Sequence, residues 1–210
     1  IKNGAHVLDL GCGNGQLLQK LISDNHVDGL GIEIDSQQIS HCLTNGLNVV
    51  EQDLNKGLSN FKDNSFDVVF SSHVLEHVNN EQQSLQEMKR VLKKDGILII
   101  SMPTTTMTVL AWVSNYIFTS HIKIYEFITG LFKFKIQLNK LVSIFLPRSH
   151  SYPRAKYISY DLIHYSVKNW TNTLQKEFNI TKTLEPFLYP YPDYPQFFKI
   201  HHSKIGASSV

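Results

Sequence analysis

The chain is short of cysteine, of long apolar runs and of metal-ligand spacing, and each shortage excludes a class of protein. Only Cys12 and Cys42 are present among 210 residues. Two thiols in a chain of this length build no disulfide framework and point to a reducing, cytoplasmic compartment. The longest apolar stretch, Met107 to Phe118, is broken by Ser114 and Asn115 and falls short of the ~20 residues that a membrane-spanning helix needs. The histidines, including the pair His201-His202, lack metal-ligand spacing with cysteines or acids, so no metal site is expected. No Gly-Lys-Ser/Thr follows the glycines at 11, 13 and 15, which excludes a phosphate loop of that type. The chain opens on Ile1 rather than methionine and almost at its first apolar run, so a preceding N-terminal segment is expected and targeting is not readable.

The most specific positive signal is Val7-Leu8-Asp9-Leu10-Gly11-Cys12-Gly13-Asn14-Gly15, an apolar strand ending in an acid and a turn with glycine at every second position. Such glycines bring backbone N–H groups close to a ligand, and the helix that follows, carrying Leu17, Leu18, Leu21 and Ile22, aims its positive end at the same place. A nucleoside-like molecule fits there. A dinucleotide fingerprint would require glycine at position 16, which is Gln16, and Asp9 would oppose a pyrophosphate at short range. A cationic nucleoside reverses that sign, and S-adenosylmethionine, with its ammonium and sulfonium, is the natural candidate. Leu30-Gly31-Ile32-Glu33 reads as a second strand whose terminal acid lies 24 residues after Asp9, a spacing at which a carboxylate accepts ribose hydroxyls.

With 42% hydrophobic residues, the chain is long enough for one domain with a substantial core. Apolar runs at Val7 to Leu10, Gly29 to Ile34, Val49 to Glu51, Val68 to Ser71 and Ile97 to Ser101 alternate with helix-length segments, which predicts an α/β fold with a mostly parallel sheet. Between Glu81 and Lys94, Leu85, Met88 and Leu92 repeat at helical spacing and Asp95-Gly96 supplies a stop. Val167, Trp170, Leu174 and Phe178 form another helical stripe, followed by strand-like segments at Ile180 to Leu184 and Gln196 to His201.

Residues from about 5 to 103 resemble a class I S-adenosylmethionine-dependent methyltransferase of the small-molecule type, through five motifs in order. Asp9 to Gly15 is similar to the family's cofactor loop. Glu33 stands where its ribose-binding acid ends the second strand, and Asp53-Leu54 where its adenine contacts lie. Phe66-Asp67-Val68-Val69-Phe70-Ser71-Ser72-His73-Val74-Leu75-Glu76-His77-Val78 resembles the fourth strand and active-site turn, and Val91 to Pro103 the helix end and fifth strand. Asn48 to Leu58 is similar to the methionine-biosynthesis W-type branch, from which the rest of the chain departs. The resemblance implies a Rossmann-like, doubly wound seven-stranded sheet with an antiparallel C-terminal edge. It implies cofactor contacts from Asp9, Gly11, Cys12, Gly13, Gly15, Glu33, Asp53, Leu54, Ser71 and Ser72. Glu33 and Asp53 can also be read as ordinary strand-end carboxylates. His73 and His77 are candidates for a catalytic base, with a scaffold role open to both and favoured for His77.

Charge is segregated. Residues 1–103 carry 8 basic and 13 acidic side chains, a net of −5, whereas 104–156 carry 7 basic against Glu126 alone, a net of +6. The expected single domain therefore divides into a cofactor-binding half (1–103), a helical basic and aromatic insert (104–156) and a C-terminal helix with edge strands (157–210). In the resembling family the segment after the fifth strand commonly covers the substrate side. Aromatic bulk with positive charge predicts a mostly helical lid over 107–148 that meets a lipid-like acceptor or an anionic membrane surface. A plain roof over the sheet has the same composition. The turn at Ser71 to Val74 lacks the Asn/Asp-Pro-Pro-Tyr/Phe motif of amide- and adenine-modifying relatives, favouring an oxygen or carbon acceptor on a small or lipid-like molecule. The alternatives are a non-catalytic subunit that activates a partner and an RNA methyltransferase; nucleic acid ranks lower because Phe, Ile and Leu outnumber base-reading residues in the insert.

Overall fold

A computed structural model describes residues 1–132, 149, 151 and 155–183. These fall in two compact units, one of Ile1–Met102 with Asn172–Thr181 and one drawn from Pro103–Thr171.

The first unit is a Rossmann-like parallel sheet. Its strands are β1 (His6–Leu10), β2 (Asp28–Glu33), β3 (Val49–Glu51), β4 (Phe66–Ser72) and β5 (Leu92–Ser101), in the order β3-β2-β1-β4-β5. Helices α1 (Gln16–Asn25), α2 (Ser36–Thr44) and α3 (Glu81–Val91) form the connections. Val7, Leu8, Asp9 and Leu10 of β1 are all buried, as expected of a central parallel strand covered on both faces. One core cluster joins Ala5, Val7, Val27 and Val68 to Leu21, Ile22 and Phe70; another joins Cys12, Leu18, Cys42 and Leu47 to Ile22 and Val49. Strand order reverses direction between β1 and β4, so the crevice at their C-terminal ends is the switch point where ligands bind in open α/β sheets.

Two local expectations are corrected. Helix α3 stops at Val91 rather than running through Lys94 to Asp95-Gly96, because Leu92 turns extended (φ −69°, ψ 140°) and pairs with Phe66. The register then jumps from Phe66–Leu92 to Val68–Ile97, a bulge held where Lys93 Nζ reaches both Asp67 carboxylate oxygens at 2.8 Å. The strand expected at Ile180 to Leu184 is absent over Ile180 to Thr183, which are irregular. Leu184, the second edge segment at Gln196 to His201 and residues 133–148 of the expected lid lie outside the described residues. Five strands are therefore present among the described residues, against the seven expected.

The second unit contains α4 (Thr105–Phe132) and α5 (Ser159–His164); α6 (Val167–Leu174) begins in it, and its residues from Asn172 on belong to the first unit. The helical character expected after the fifth strand is present over all 28 residues of α4. Trp170 Nε1 donates to the Pro103 carbonyl at 2.8 Å, the Thr105 N–H donates to the Tyr165 carbonyl at 2.8 Å, and the Tyr165 and Trp170 rings stack with centroids 5.1 Å apart. In the stripe expected there, Trp170 and Leu174 are buried, whereas Val167 is exposed.

Candidate functional site

The turn from β1 to α1 is shaped by glycine where nothing else fits. Gly11 has φ +65°, and a Cβ placed on it would stand 2.6 Å from Val74 Cγ2, so the loop closes directly on the turn after β4. Gly13 has φ +53° with nothing within 4 Å of where a Cβ would sit, leaving open space above its backbone. Behind the loop the Cys42 thiol lies 3.3 Å from the Gly13 carbonyl oxygen, and the Cys12 N–H donates to the Ile32 carbonyl at 3.0 Å. Both thiols are buried and free. Burial, reinforced by the charge of Asp9, pushes the Cys12 thiol up to about 12.

Glu33, at the tip of β2, faces this loop. Its Oε2 accepts the Gly13 N–H at 2.8 Å, and its Oε1 accepts the N–H groups of Ile34 and Asp35 at 2.7 and 3.1 Å. Three donors leave a carboxylate with acceptor capacity to spare. Asp9 is the opposite case. It is only 2% exposed and its Oδ2 has no hydrogen-bond partner among the described residues. Burial, and secondarily the charge of Glu33, raises its carboxyl to about 7. A buried carboxylate without a donor is a costly arrangement that a bound cation relieves.

Asp53 caps the turn Leu54–Lys56, its Oδ1 accepting from the Asn55 backbone at 2.9 Å and the Asn55 side-chain amide at 3.1 Å. Asn55 Oδ1 in turn accepts the Asn79 N–H at 2.7 Å, tying this turn to the segment after His77. Neither Asn55 nor Val74 was singled out from sequence, since each side chain meets the backbone of a distant segment, at Asn79 and Gly11, that only the folded chain brings near.

At the end of β4, Ser71 is buried with its Oγ unpartnered, whereas Ser72 is exposed. His73 has φ +55°, an unusual conformation for a residue with a Cβ, and its N–H donates to the Ser101 carbonyl at 2.9 Å. Its Nδ1 lies 3.3 Å from Oε1 of Glu76, which is buried, while the other Glu76 oxygen has no partner. His77 closes the turn Leu75–His77 with its side chain exposed. Glu76 was missed as a site residue; the three-residue separation from His73 was the signal available.

The structure therefore gathers Asp9, Gly11, Gly13, Glu33, Ser71 and His73 at the C-terminal edge of the sheet, with Asp53 and Leu54 after β3 on the same edge. Such an edge, carrying an unpaired buried carboxylate, an open glycine backbone and a carboxylate with free lone pairs, suits a cationic nucleoside.

Comparison with known proteins agrees. The model of a family described as methionine biosynthesis protein MetW matches residues 1–118. The chain is 37% identical over 99 residues to a bifunctional methionine biosynthesis protein MetXA/MetW of Rhodopirellula baltica, covering 43% of this chain and 16% of that protein. It is 34% identical over 106 residues to a ubiquinone biosynthesis O-methyltransferase of Glaesserella parasuis, covering 47% and 45%. With a sterol 24-C-methyltransferase of Gibberella zeae the identity is 31% over 105 residues, covering 46% and 27%. The chain thus spans less than half the length of each of these relatives.

Proposed function

The chain belongs to the MetW family of class I S-adenosylmethionine-dependent methyltransferases, and we propose that it transfers a methyl group from S-adenosylmethionine to an oxygen or carbon acceptor on a small or lipid-like molecule. The observation that carries this reading is Asp9, a buried carboxylate with an unpartnered oxygen at the end of β1, beside the glycine turn. In this reading Asp9 and the Gly11 to Gly15 backbone hold the methionine end, Glu33 the ribose, and Asp53 with Leu54 the adenine. Cys12, Ser71 and Ser72 complete the surround. The bound cofactor supplies an electrophilic methyl group on sulfonium, and the chain contributes alignment, which accounts for much of the acceleration in such displacements.

Relatives whose names specify an oxygen acceptor on a quinone precursor and a carbon acceptor on a sterol support a small, lipid-like substrate. So does α4, where Ile117, Ile122, Ile124, Tyr125 and Ile128 are exposed within a segment, 104–156, of net charge +6. That combination suits peripheral contact with an anionic membrane surface. No helix among the described residues is long and apolar enough to cross a membrane.

Calorimetry with S-adenosylmethionine and its demethylated product tests the cofactor assignment. Binding by the wild-type chain, its loss in Gly13→Val and measurably weaker binding in Asp9→Asn are expected, and equal affinity in all three proteins would overturn it. Transfer of labelled methyl from the cofactor into lipid and metabolite extracts then identifies the acceptor.

A further inference from the structure

We infer that His73 and Glu76 form a catalytic pair in which His73 takes the proton from an acceptor hydroxyl and Glu76 is the positioning residue that fixes the imidazole for that task. This rests on the methyltransferase reading and narrows it to an acceptor bearing an ionisable O–H. Three observations carry it. The His73 side chain is 44% exposed at the end of β4, one residue beyond Ser72, whereas its partner Glu76 is 2% exposed. The Glu76 contact is made through Nδ1, at 3.3 Å from Oε1. The His73 backbone sits at φ +55°, held there by the N–H bond to the Ser101 carbonyl. A left-handed conformation at a β-carbon-bearing residue costs stability, and such outliers persist where the surrounding structure enforces them.

The chemistry follows from the donor and acceptor inventory. In the proposed pair the ring proton sits on Nδ1, the nitrogen 3.3 Å from Glu76 Oε1, where a carboxylate oxygen offers it a lone pair. Nε2 then holds the free lone pair and is the basic nitrogen. As the acceptor oxygen forms its bond to the methyl carbon, the carbon–sulfur bond breaks and its electron pair stays on sulfur. The acceptor's proton passes to Nε2. The imidazolium so formed faces the Glu76 carboxylate, whose second oxygen has no partner among the described residues. A carbon acceptor of the alkene type has no O–H proton to deliver before attack, and this pair is not arranged for it.

Glu76→Gln tests the arrangement with little change of volume. The carboxamide can donate to Nδ1, which moves the ring proton to Nε2 and removes the base. Long-range proton–nitrogen spectra of the full chain labelled at histidine read this directly. In wild type the His73 Nδ1 should resonate as a protonated nitrogen and Nε2 as an unprotonated one, and the two should exchange character in Glu76→Gln. Cofactor affinity by calorimetry should stay within about twofold in Glu76→Gln and in His73→Asn, the latter chosen because asparagine tolerates a left-handed backbone. Once an acceptor is found, turnover should fall by ~10²-fold or more in both variants. A wild-type ring protonated at Nε2, or a tautomer unchanged in Glu76→Gln, would overturn the pair even where the cofactor binds. Failure of the wild-type chain to bind the cofactor would instead remove the methyltransferase reading itself.

Discussion

Glu33 Oε2 accepts the Gly13 N–H at 2.8 Å across twenty residues of sequence, so one carboxylate both closes the cofactor turn and stands at the proposed ribose site. Glu33→Ala should therefore loosen the turn and weaken cofactor binding together. Losing charge-assisted bonds costs roughly 1–3 kcal/mol, or about 5- to 150-fold in dissociation constant. Calorimetry gives the affinity, and amide exchange at Gly13 should quicken in the same variant without ligand.

Asp9 makes cofactor affinity depend on pH. A cation binds the ionised carboxylate, and the ligand-free group titrates near 7. Relative to Asp9→Asn, the wild-type association constant should fall about tenfold between pH 8 and pH 6. Parallel pH profiles for the two proteins would remove Asp9 from the site.

The same burial acts on stability with the opposite sign. The folded-state value lies above that of the unfolded chain, so this carboxyl opposes folding little below about pH 4 and increasingly as pH rises through 7. Asp9→Asn should raise the melting temperature of the ligand-free chain at pH 8, by roughly 2–4 °C for each kcal/mol relieved, and raise it far less at pH 4.5. Calorimetric melting at the two pH values checks this.

Cys12 and Cys42 should resist thiol reagents in the folded chain. Both are buried, burial raises both thiols, and that of Cys12 reaches about 12. Labelling at pH 8 should proceed only at the rate of unfolding, and fast labelling of either residue would contradict the packing behind the glycine turn.

Contact of the 104–156 segment with lipid should depend on salt and on headgroup charge. Co-sedimentation with anionic phospholipid vesicles at low salt is expected, with loss on neutral vesicles and in the variant carrying Lys123, Lys133, Lys135 and Lys140 all as Gln. No binding to anionic vesicles at low salt would make the insert a roof for a soluble substrate.

Much of this was legible in the chain because it is written in local terms. Alternating apolar and helical segments announce a parallel α/β sheet, and the acid before glycines at 11, 13 and 15 announces a turn for a cationic ligand. The end of α3 was misplaced because apolar spacing continues through Leu92, and only the pairing of Leu92 with Phe66 and the Lys93–Asp67 ion pair turn the chain extended there. Those partners are 26 residues apart, beyond the reach of a periodicity.

Sequence by itself determined the layers, the glycine turn and the identities of the acids, since these depend on side-chain period and on the dihedral freedom of single residues. Tertiary structure alone decided what the acids do. Asp9 and Glu33 are both strand-end carboxylates, yet one lies buried without a donor at Oδ2 and titrates near 7, while the other accepts three backbone N–H groups. Likewise Glu76, named from sequence only as part of the turn motif after the fourth strand, is the buried neighbour of His73 Nδ1. The reason is electrostatic: the energy of a charge is set by the donors and water within a few ångströms of it, and that neighbourhood exists only once distant strands have been brought side by side.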